Sequence, residues 1–238
     1  MPKIETILMK WRSLEESVAG SDSRSLCEQL AERKELIAKY VPAETQAVHA
    51  RVIGELRDNS IDGRVLSVGS RIPDFELRDH NDKLVTSTGL LAQGPLVICF
   101  IRGRWCPFCV GQMEAMNVAF PQIRQLGALL IAISPQTTKQ AYFMVDQHRL
   151  QFPLLVDSVN HVARQFGITY RVPDDQQAIY RRAFINLPFV NGDASWELPV
   201  PATFVLDNNA IVRHAWVEPD YTERPEPAEI IEKVAELH

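Results

Sequence analysis

Three short runs of apolar, β-forming residues, separated by helical stretches, most constrain the fold of this 238-residue chain. The runs lie at 96–101, 128–133 and 153–156, and each is far too short to span a bilayer. Apolar residues recur at helical spacing over 110–120 and 137–150, between the runs. Because strands that alternate with helices form βαβ units, the sequence predicts a largely parallel central sheet covered by helices.

Two β-hairpins are predicted on either side of this α/β core. In the first, β-forming residues flank a polar turn at 79–82, and in the second they flank a turn at 207–209. The other predicted elements are a short helix at 159–166, an insertion at 168–199 with one helix at 174–183, and a last helix after Pro225.

The first 65 residues form a helical extension in this prediction, and 66–238 form the main domain. Apolar stripes at helical spacing begin at Ile4, at Leu26 and at Val48. Ser25 and Glu28 have the spacing of a capping box. Such stripes fit packing on the main domain, and they equally fit packing against a second copy in a homodimer.

Composition and charge exclude several classes of function. The chain has 46% hydrophobic and 23% charged residues and a net charge of -5, which argues against non-specific binding to nucleic acid or to an anionic membrane. Residues 1–6 lack the apolar stretch of a secretory signal, so the expected location is cytoplasmic. Cysteines there are kept reduced, and a CxxC motif is then more typical of catalysis or metal binding than of a permanent disulfide.

The motif Cys106-Pro107-Phe108-Cys109 follows the first apolar run and opens the predicted helix. A thiolate at a helix N-terminus is stabilised by the helix dipole and by free N–H groups, which lowers its pKa. We therefore expect Cys106, at the exposed end, to be the attacking thiolate and Cys109, one turn further on, to resolve the intermediate. Arg102 and Arg104 would add positive potential beside the pair.

Other interpretations of the cysteines are structural thiols or a zinc site. Zinc needs more ligands, and the chain has neither a second CxxC motif nor a histidine pair at metal spacing, so no metal is predicted. Cys99, within the apolar run, and Cys27, on the N-terminal helices, are expected to be inert. Pro201 is expected at the first position of a strand because proline is excluded from central ladders.

Two segments resemble thioredoxin-fold proteins. Residues 104–109 are similar to the thioredoxin Trp-Cys-x-x-Cys site, and residues 201–207 to the strand that follows its cis-proline. This resemblance implies a thioredoxin-like, three-layer α/β/α fold with a mixed central sheet. It also implies a cis bond at Val200–Pro201 that faces Cys106, with Trp105 and Pro201 in contact with the substrate.

A longer match resembles the peroxiredoxin-like branch of the alkyl hydroperoxide reductase/thiol-specific antioxidant (AhpC/TSA) family. The matching segments are 68–75, 102–106, 132–136, 196–201 and 219–222. The resemblance implies a thiol-dependent peroxidase that reduces hydrogen peroxide or organic hydroperoxides. It further implies recycling by a thioredoxin-like dithiol reductant, without any cofactor.

The sequence departs from the family pattern around the reactive cysteine, Pro-x-x-x-Thr-x-x-Cys. Counted back from Cys106, the threonine position holds Gly103 and the proline position holds Cys99. The family's distant arginine often falls where Pro201 stands, so Arg102 and Arg104 are the candidates for binding substrate. Two alternatives stay open: a thiol–disulfide oxidoreductase acting on protein disulfides, which these departures favour, and a non-enzymatic redox sensor or binding module.

Overall fold

The computed structural model describes residues 24–58 and 64–237. No helix in these two ranges has both the length and the apolar character needed to cross a membrane. The strands are β1 (Glu76–Asp79), β2 (Leu84–Thr86), β3 (Leu96–Phe100), β4 (Leu129–Ser134), β5 (Leu154–Val156), β6 (Thr169–Arg171), β7 (Glu197–Pro199), β8 (Ala202–Leu206) and β9 (Val212–Val217). The helices are α1 (Leu26–Tyr40), α2 (Ala43–Asp58), α3 (Ser87–Leu91), α4 (Pro107–Gln125), α5 (Thr138–His148), α6 (His161–Gln165), α7 (Asp174–Arg182), α8 (Leu187–Asn191) and α9 (Pro227–Ala235).

Seven strands form one mixed sheet, in the order β2-β1-β5-β4-β3-β8-β9. The pairs β3–β4 and β4–β5 are parallel, whereas the four other pairs are antiparallel. The expected mixed α/β fold is confirmed, but the expectation of a largely parallel sheet is wrong. Each predicted hairpin joins the sheet through an antiparallel neighbour. The four hairpin strands therefore outnumber the three parallel strands β3, β4 and β5.

The central strand β3 is buried on both faces, which explains why it reads as an unbroken apolar run. Val97, Cys99 and Ile101 point into one core cluster, which they share with α1, α4, α5 and α9. Alternate residues such as Ile98 and Phe100 point into a second cluster on the other face, with α3 and α6. The helices therefore form the two outer layers of a three-layer arrangement.

Helix α1 packs into the same core as α4. Leu26 and Leu30 are buried there, and the predicted capping box of Ser25 and Glu28 is confirmed. The predicted helix that begins at Ile4 lies outside the described residues. The proposed boundary between extension and main domain stays a prediction.

The insertion at 168–199 holds more structure than predicted. The expected helix is present as α7, and it is joined by α8 and by a small antiparallel sheet of β6 and β7. These strands have three residues each and pair across a wide separation in sequence, so local patterns do not reveal them. A small core around Tyr180 and Trp196 attaches the insertion to Trp105.

Candidate active site

The motif at 106–109 occupies the junction between β3 and α4, as predicted. Cys106 is the N-cap of α4, Pro107 fills its first position, and Cys109 lies in its first turn. Gly103 permits this turn, since its φ is +136° and an added Cβ would come within 3.0 Å of Trp105 Nε1. A residue with a side chain would be strained at that backbone conformation and crowded by the indole.

Both motif cysteines are buried, with Cys106 1% exposed and Cys109 0% exposed. The expectation of an exposed Cys106 is therefore wrong. The reason is tertiary: Tyr180, from the insertion, packs against Trp105, and Tyr221 packs against Phe108 beside the motif. The sequence around the motif predicts a helix start that is open to solvent, but residues from distant segments cover it in the structure.

The donors and cations around the dithiol favour the charged form of Cys109. Burial alone would raise its pKa, but the hydrogen bond from Cys106 and the charges of Arg224 and Arg102 lower it. Burial and the neighbouring Cys109 sulfur raise the pKa of Cys106 well above its usual range. The expectation that the helix start would lower the pKa of Cys106 is therefore wrong, because the specific donors point at the other sulfur.

Two donors reach the Cys109 sulfur directly. The Arg102 backbone N–H donates to Cys109 Sγ at 3.4 Å. The Arg224 guanidinium donates to the same sulfur through Nη2 at 3.5 Å. Hydrogen bonds and cations that favour the charged form are what activates a buried thiol as a nucleophile.

The Arg102 side chain is buried (1% exposed) within a cage of aromatic rings. Its guanidinium carbon lies 4.7 Å from the Trp105 ring centre and 4.2 Å from that of Tyr221. It also donates to the Tyr180 hydroxyl, and its Nε has no hydrogen-bond partner among the described residues. No carboxylate among the described residues pairs with it. Burial opposes the Arg102 charge, whereas the neighbouring Tyr180, Tyr170 and Cys106 groups raise its pKa.

Arg224 is a site residue that the sequence did not reveal. Its Nε donates to Gln112 Oε1 at 2.7 Å, and Gln112 in turn donates to Thr203 Oγ1 at 3.2 Å. Arg224 also lines a cavity of about 230 Å³ together with Pro201 and Thr203. The cavity therefore reaches the residue that contacts the Cys109 sulfur.

The other predicted substrate-binding residues divide into two groups. Trp105 and Pro201 lie at the site, one over Arg102 and the other in the cavity wall. Arg104 instead donates to Gln140 on α5 at 3.1 Å and has no contact with either sulfur among the described residues. The bond at Val200–Pro201 is trans, as are all peptide bonds of the described residues, which corrects the predicted cis bond.

The remaining thiols are separate from the pair. Cys99 is fully buried in β3, and burial raises its pKa to about 12. Cys27 is exposed on α1. Within the described ranges, no group of three or more His, Cys, Asp or Glu residues is arranged to hold a metal ion.

A different count along the sequence agrees with this geometry. Counted back from Cys109 instead of Cys106, the threonine position of Pro-x-x-x-Thr-x-x-Cys holds Cys106, and the proline position holds Arg102. The residue in the threonine position is then the one whose side chain donates to the reactive sulfur. This count is the sequence signal that could have assigned the charge to Cys109.

Comparison with known sequences gives one family. The model of the AhpC/TSA family matches residues 68–215, which is more than half of the chain. Alkyl hydroperoxide reductase E of Mycobacterium tuberculosis is 28% identical over 153 residues, covering 63% of this chain and 85% of that protein. The chloroplastic peroxiredoxin Q of Arabidopsis thaliana is 25% identical over 214 residues, covering 82% and 88%.

Solved structures show the same fold. The crystal structure of peroxidoxin BcpB from Mycobacterium tuberculosis superposes with a TM-score of 0.58 at 19% identity, over 73% of this chain and 99% of that one. The bacterioferritin comigratory protein of Xanthomonas campestris gives a TM-score of 0.56 at 16% identity, over 71% and 97%. The similarity confirms the thioredoxin-like architecture expected from the sequence.

Proposed function

The chain belongs to the AhpC/TSA family, and we propose that it is a thiol-dependent peroxidase in which Cys109 attacks the peroxide and Cys106 resolves the product. One observation carries the assignment of roles: the Cys109 sulfur accepts hydrogen bonds from both the Arg224 guanidinium and the Arg102 backbone N–H. The thiolate is the nucleophile in such chemistry. This exchanges the roles that the sequence alone favoured for the two cysteines.

The reaction needs only groups that the chain supplies, and we propose no cofactor. The Cys109 thiolate attacks one oxygen of ROOH, the O–O bond breaks, and the products are the sulfenic acid and RO⁻, which takes up a proton. The Cys106 thiol then condenses with the sulfenic acid, forming the disulfide and releasing water. An external dithiol of the thioredoxin type reduces the disulfide by exchange and is itself oxidised.

The cavity beside Arg224 supports this choice of substrate. Its lining includes Pro201, Thr203, Trp216 and Arg224, and its volume of about 230 Å³ suits a small molecule. A hydroperoxide bound there would meet the guanidinium that contacts the nucleophile, and that cation would stabilise the leaving oxyanion. Relatives named alkyl hydroperoxide reductase and peroxiredoxin are consistent with hydrogen peroxide or an organic hydroperoxide as substrate.

A homodimer and a cytoplasmic location remain part of the proposal. Phe184 and Phe189 on the insertion are 90% and 69% exposed, which is unusual for phenylalanine and is compatible with a second copy packing there. Sedimentation of the reduced protein would show its oligomeric state directly.

Stopped-flow oxidation of the reduced protein tests the proposed function. Tryptophan fluorescence is followed after mixing with hydrogen peroxide or an organic hydroperoxide, with Cys109→Ser, Cys106→Ser and Cys99→Ser as matched variants. We expect oxidation much faster than that of a free thiol in the wild type and in Cys99→Ser, and its loss in Cys109→Ser. Oxidation no faster than a free thiol rejects the peroxidase and favours exchange with a protein disulfide, which is then tested as the substrate.

A further inference from the structure

The loop that brings Arg224 to Cys109 is tied to the N-terminal helices by ion pairs. This segment, residues 218–226, joins β9 to α9, and we call it the arginine loop. Arg57 on α2 contacts Glu218 at 2.7 Å. Lys34 on α1 contacts Asp220 at 3.0 Å, and the Asp220 carboxylate is almost fully buried. Two helices of the extension therefore hold the start of the loop.

The end of the same loop is held by the N-terminus of α1. The Glu226 carboxylate accepts the backbone N–H groups of Leu26 at 3.0 Å and Cys27 at 2.6 Å. These are among the N–H groups that a helix leaves without an internal partner, and a carboxylate there is stabilised by the helix dipole. Glu226 stands two residues after Arg224, so this contact fixes the chain next to the arginine.

The middle of the loop packs against α2 through an aromatic contact. His49 on α2 lies edge-on to Tyr221, with ring centres 6.0 Å apart. Tyr221 in turn covers the buried Arg102 guanidinium. Burial and the Arg102 charge lower the pKa of His49 to about 4, so its ring is neutral at pH 7 and adds no charge to the site.

The extension also touches the motif itself. The Arg33 guanidinium, on α1, donates to the carbonyl of Pro107 between the two cysteines. Gly111 on α4 makes room for it, since an added Cβ would lie 2.6 Å from Arg33 Nη1. Glu114 on α4 binds both Arg33 and His148, at 3.5 and 3.0 Å.

From these contacts we propose that α1 and α2 are part of the redox site, because they hold the arginine loop where Arg224 meets the Cys109 sulfur. The inference rests on the thiolate role of Cys109 in the proposed function, and it gives the N-terminal extension a role beyond packing. The loop has neither helix nor strand of its own. One backbone hydrogen bond, from Glu218 N–H to the Pro201 carbonyl, holds its start, and the side-chain contacts described above hold it along its length. Three groups outside the loop also interact with the Cys109 thiol. Arg102 and Cys106 lower its pKa, and Tyr170 interacts with it electrostatically.

Two surface arginines of α2 provide a matched test. Arg57 binds the arginine loop, whereas Arg51 binds Glu55 on the same helix and Asp175 on α7, and the two side chains are 50% and 43% exposed. In a Cys27→Ser background, which removes the exposed thiol, the thiolate absorbance of the reduced protein is titrated without any peroxide. The variants are Lys34→Ala/Arg57→Ala, the control Arg51→Ala, the conservative Arg57→Lys, and Arg224→Met as the reference.

We expect the titration midpoint to rise by about one unit in the double variant, as for Arg224→Met, which is a tenfold change in proton affinity. Arg51→Ala and Arg57→Lys should keep the wild-type midpoint. A wild-type midpoint in the double variant, or in Arg224→Met, overturns the inference. Because the titration needs no substrate, a shifted midpoint in a protein without peroxidase activity rejects the proposed function and retains the role of the extension.

Discussion

The thiols of Cys99 and Cys109 are equally buried, yet their pKa values are shifted in opposite directions. Both are 0% exposed, one near the end of β3 and the other in the first turn of α4. Cys99 has a neutral contact, the Thr203 hydroxyl at 3.9 Å, and burial raises its pKa to about 12. Cys109 is buried to the same degree, but a thiol, two arginines and a backbone N–H lower its pKa.

The difference between the two regions indicates that hydrogen-bond donors and cations, and not exposure, set the direction of the pKa shift of each thiol. Desolvation opposes the charged form at both positions. At Cys109 the fold offsets this cost with Arg102 from the turn between β3 and α4, with Cys106 at the start of α4, and with Arg224 from the arginine loop. At Cys99 the weak Thr203 hydrogen bond and the Arg224 charge do not offset burial, and the N–H groups of the strand are used in the sheet.

Replacing the motif cysteines by serine should have the largest effect on peroxide turnover. Cys109→Ser deletes the nucleophile, so peroxide turnover should fall to the background of free-thiol oxidation. Cys106→Ser should allow one stoichiometric oxidation of Cys109 without dithiol recycling. Turnover is measured with a thioredoxin-type donor, and sustained turnover in Cys109→Ser would give the attack to Cys106.

Removing the charged donor should make Cys109 more like Cys99. Arg224→Met keeps much of the side-chain volume but removes the guanidinium, so the pKa of Cys109 should rise by about one unit. Because the thiolate still predominates at neutral pH, the rate of oxidation should fall there by less than about twofold, and by up to about tenfold below the wild-type midpoint, where the comparison is made. Arg213→Met on β9 is the control, since that arginine pairs with Asp207 in the turn between β8 and β9. Equal rates for the two variants would show that Arg224 does not activate the sulfur.

The pH dependence of oxidation should sharpen the comparison in the wild-type protein. A lowered pKa means that the Cys109 thiolate is fully formed at neutral pH and is lost only as the pH falls through that pKa. Between pH 7 and 9 the rate should change less than about twofold, whereas an ordinary thiol with a pKa of about 8.5 would gain roughly 25-fold. A steep rise over this interval would contradict an activated Cys109.

The smallest effect is expected at Cys99. Cys99→Ala should leave the oxidation rate unchanged, because the pKa of this thiol is too high for it to form a thiolate at neutral pH. It should lower the free energy of unfolding by about 1 kcal/mol through the lost packing. Urea unfolding and stopped-flow oxidation of the same sample measure both quantities, and a slower oxidation would place Cys99 in the reaction.

Much of the fold could be predicted because its elements carry local patterns. The runs that became β3, β4 and β8, the helices α4 and α5, and the position of the motif all follow from periodicity and turn chemistry. The mixed sheet and the strands β6 and β7 depend on pairing across long stretches of sequence, which periodicity does not encode.

The active site was half visible in the sequence for the same reason. A short motif reveals four of its residues, because they lie close together in the sequence: Arg102, Trp105, Cys106 and Cys109. Arg224 is 115 residues from the sulfur it contacts, and Tyr180 is 78 residues from Arg102. The proposed order of reactivity within the pair rests on these distant contacts, whereas the helix start alone predicted the opposite order.

The aromatic cage around Arg102 also bears on the redox equilibrium. In the proposed reaction, formation of the disulfide would remove the Cys109 thiolate, which the charges of Arg224 and Arg102 favour. The fold therefore stabilises the reduced form relative to the oxidised form, which raises the reduction potential of the pair. Each unit by which the pKa of the thiolate is lowered corresponds to about 1.4 kcal/mol, or about 30 mV for this two-electron couple. In the proposed cycle, the charges that activate the sulfur would thus also favour reduction of the disulfide by a dithiol donor.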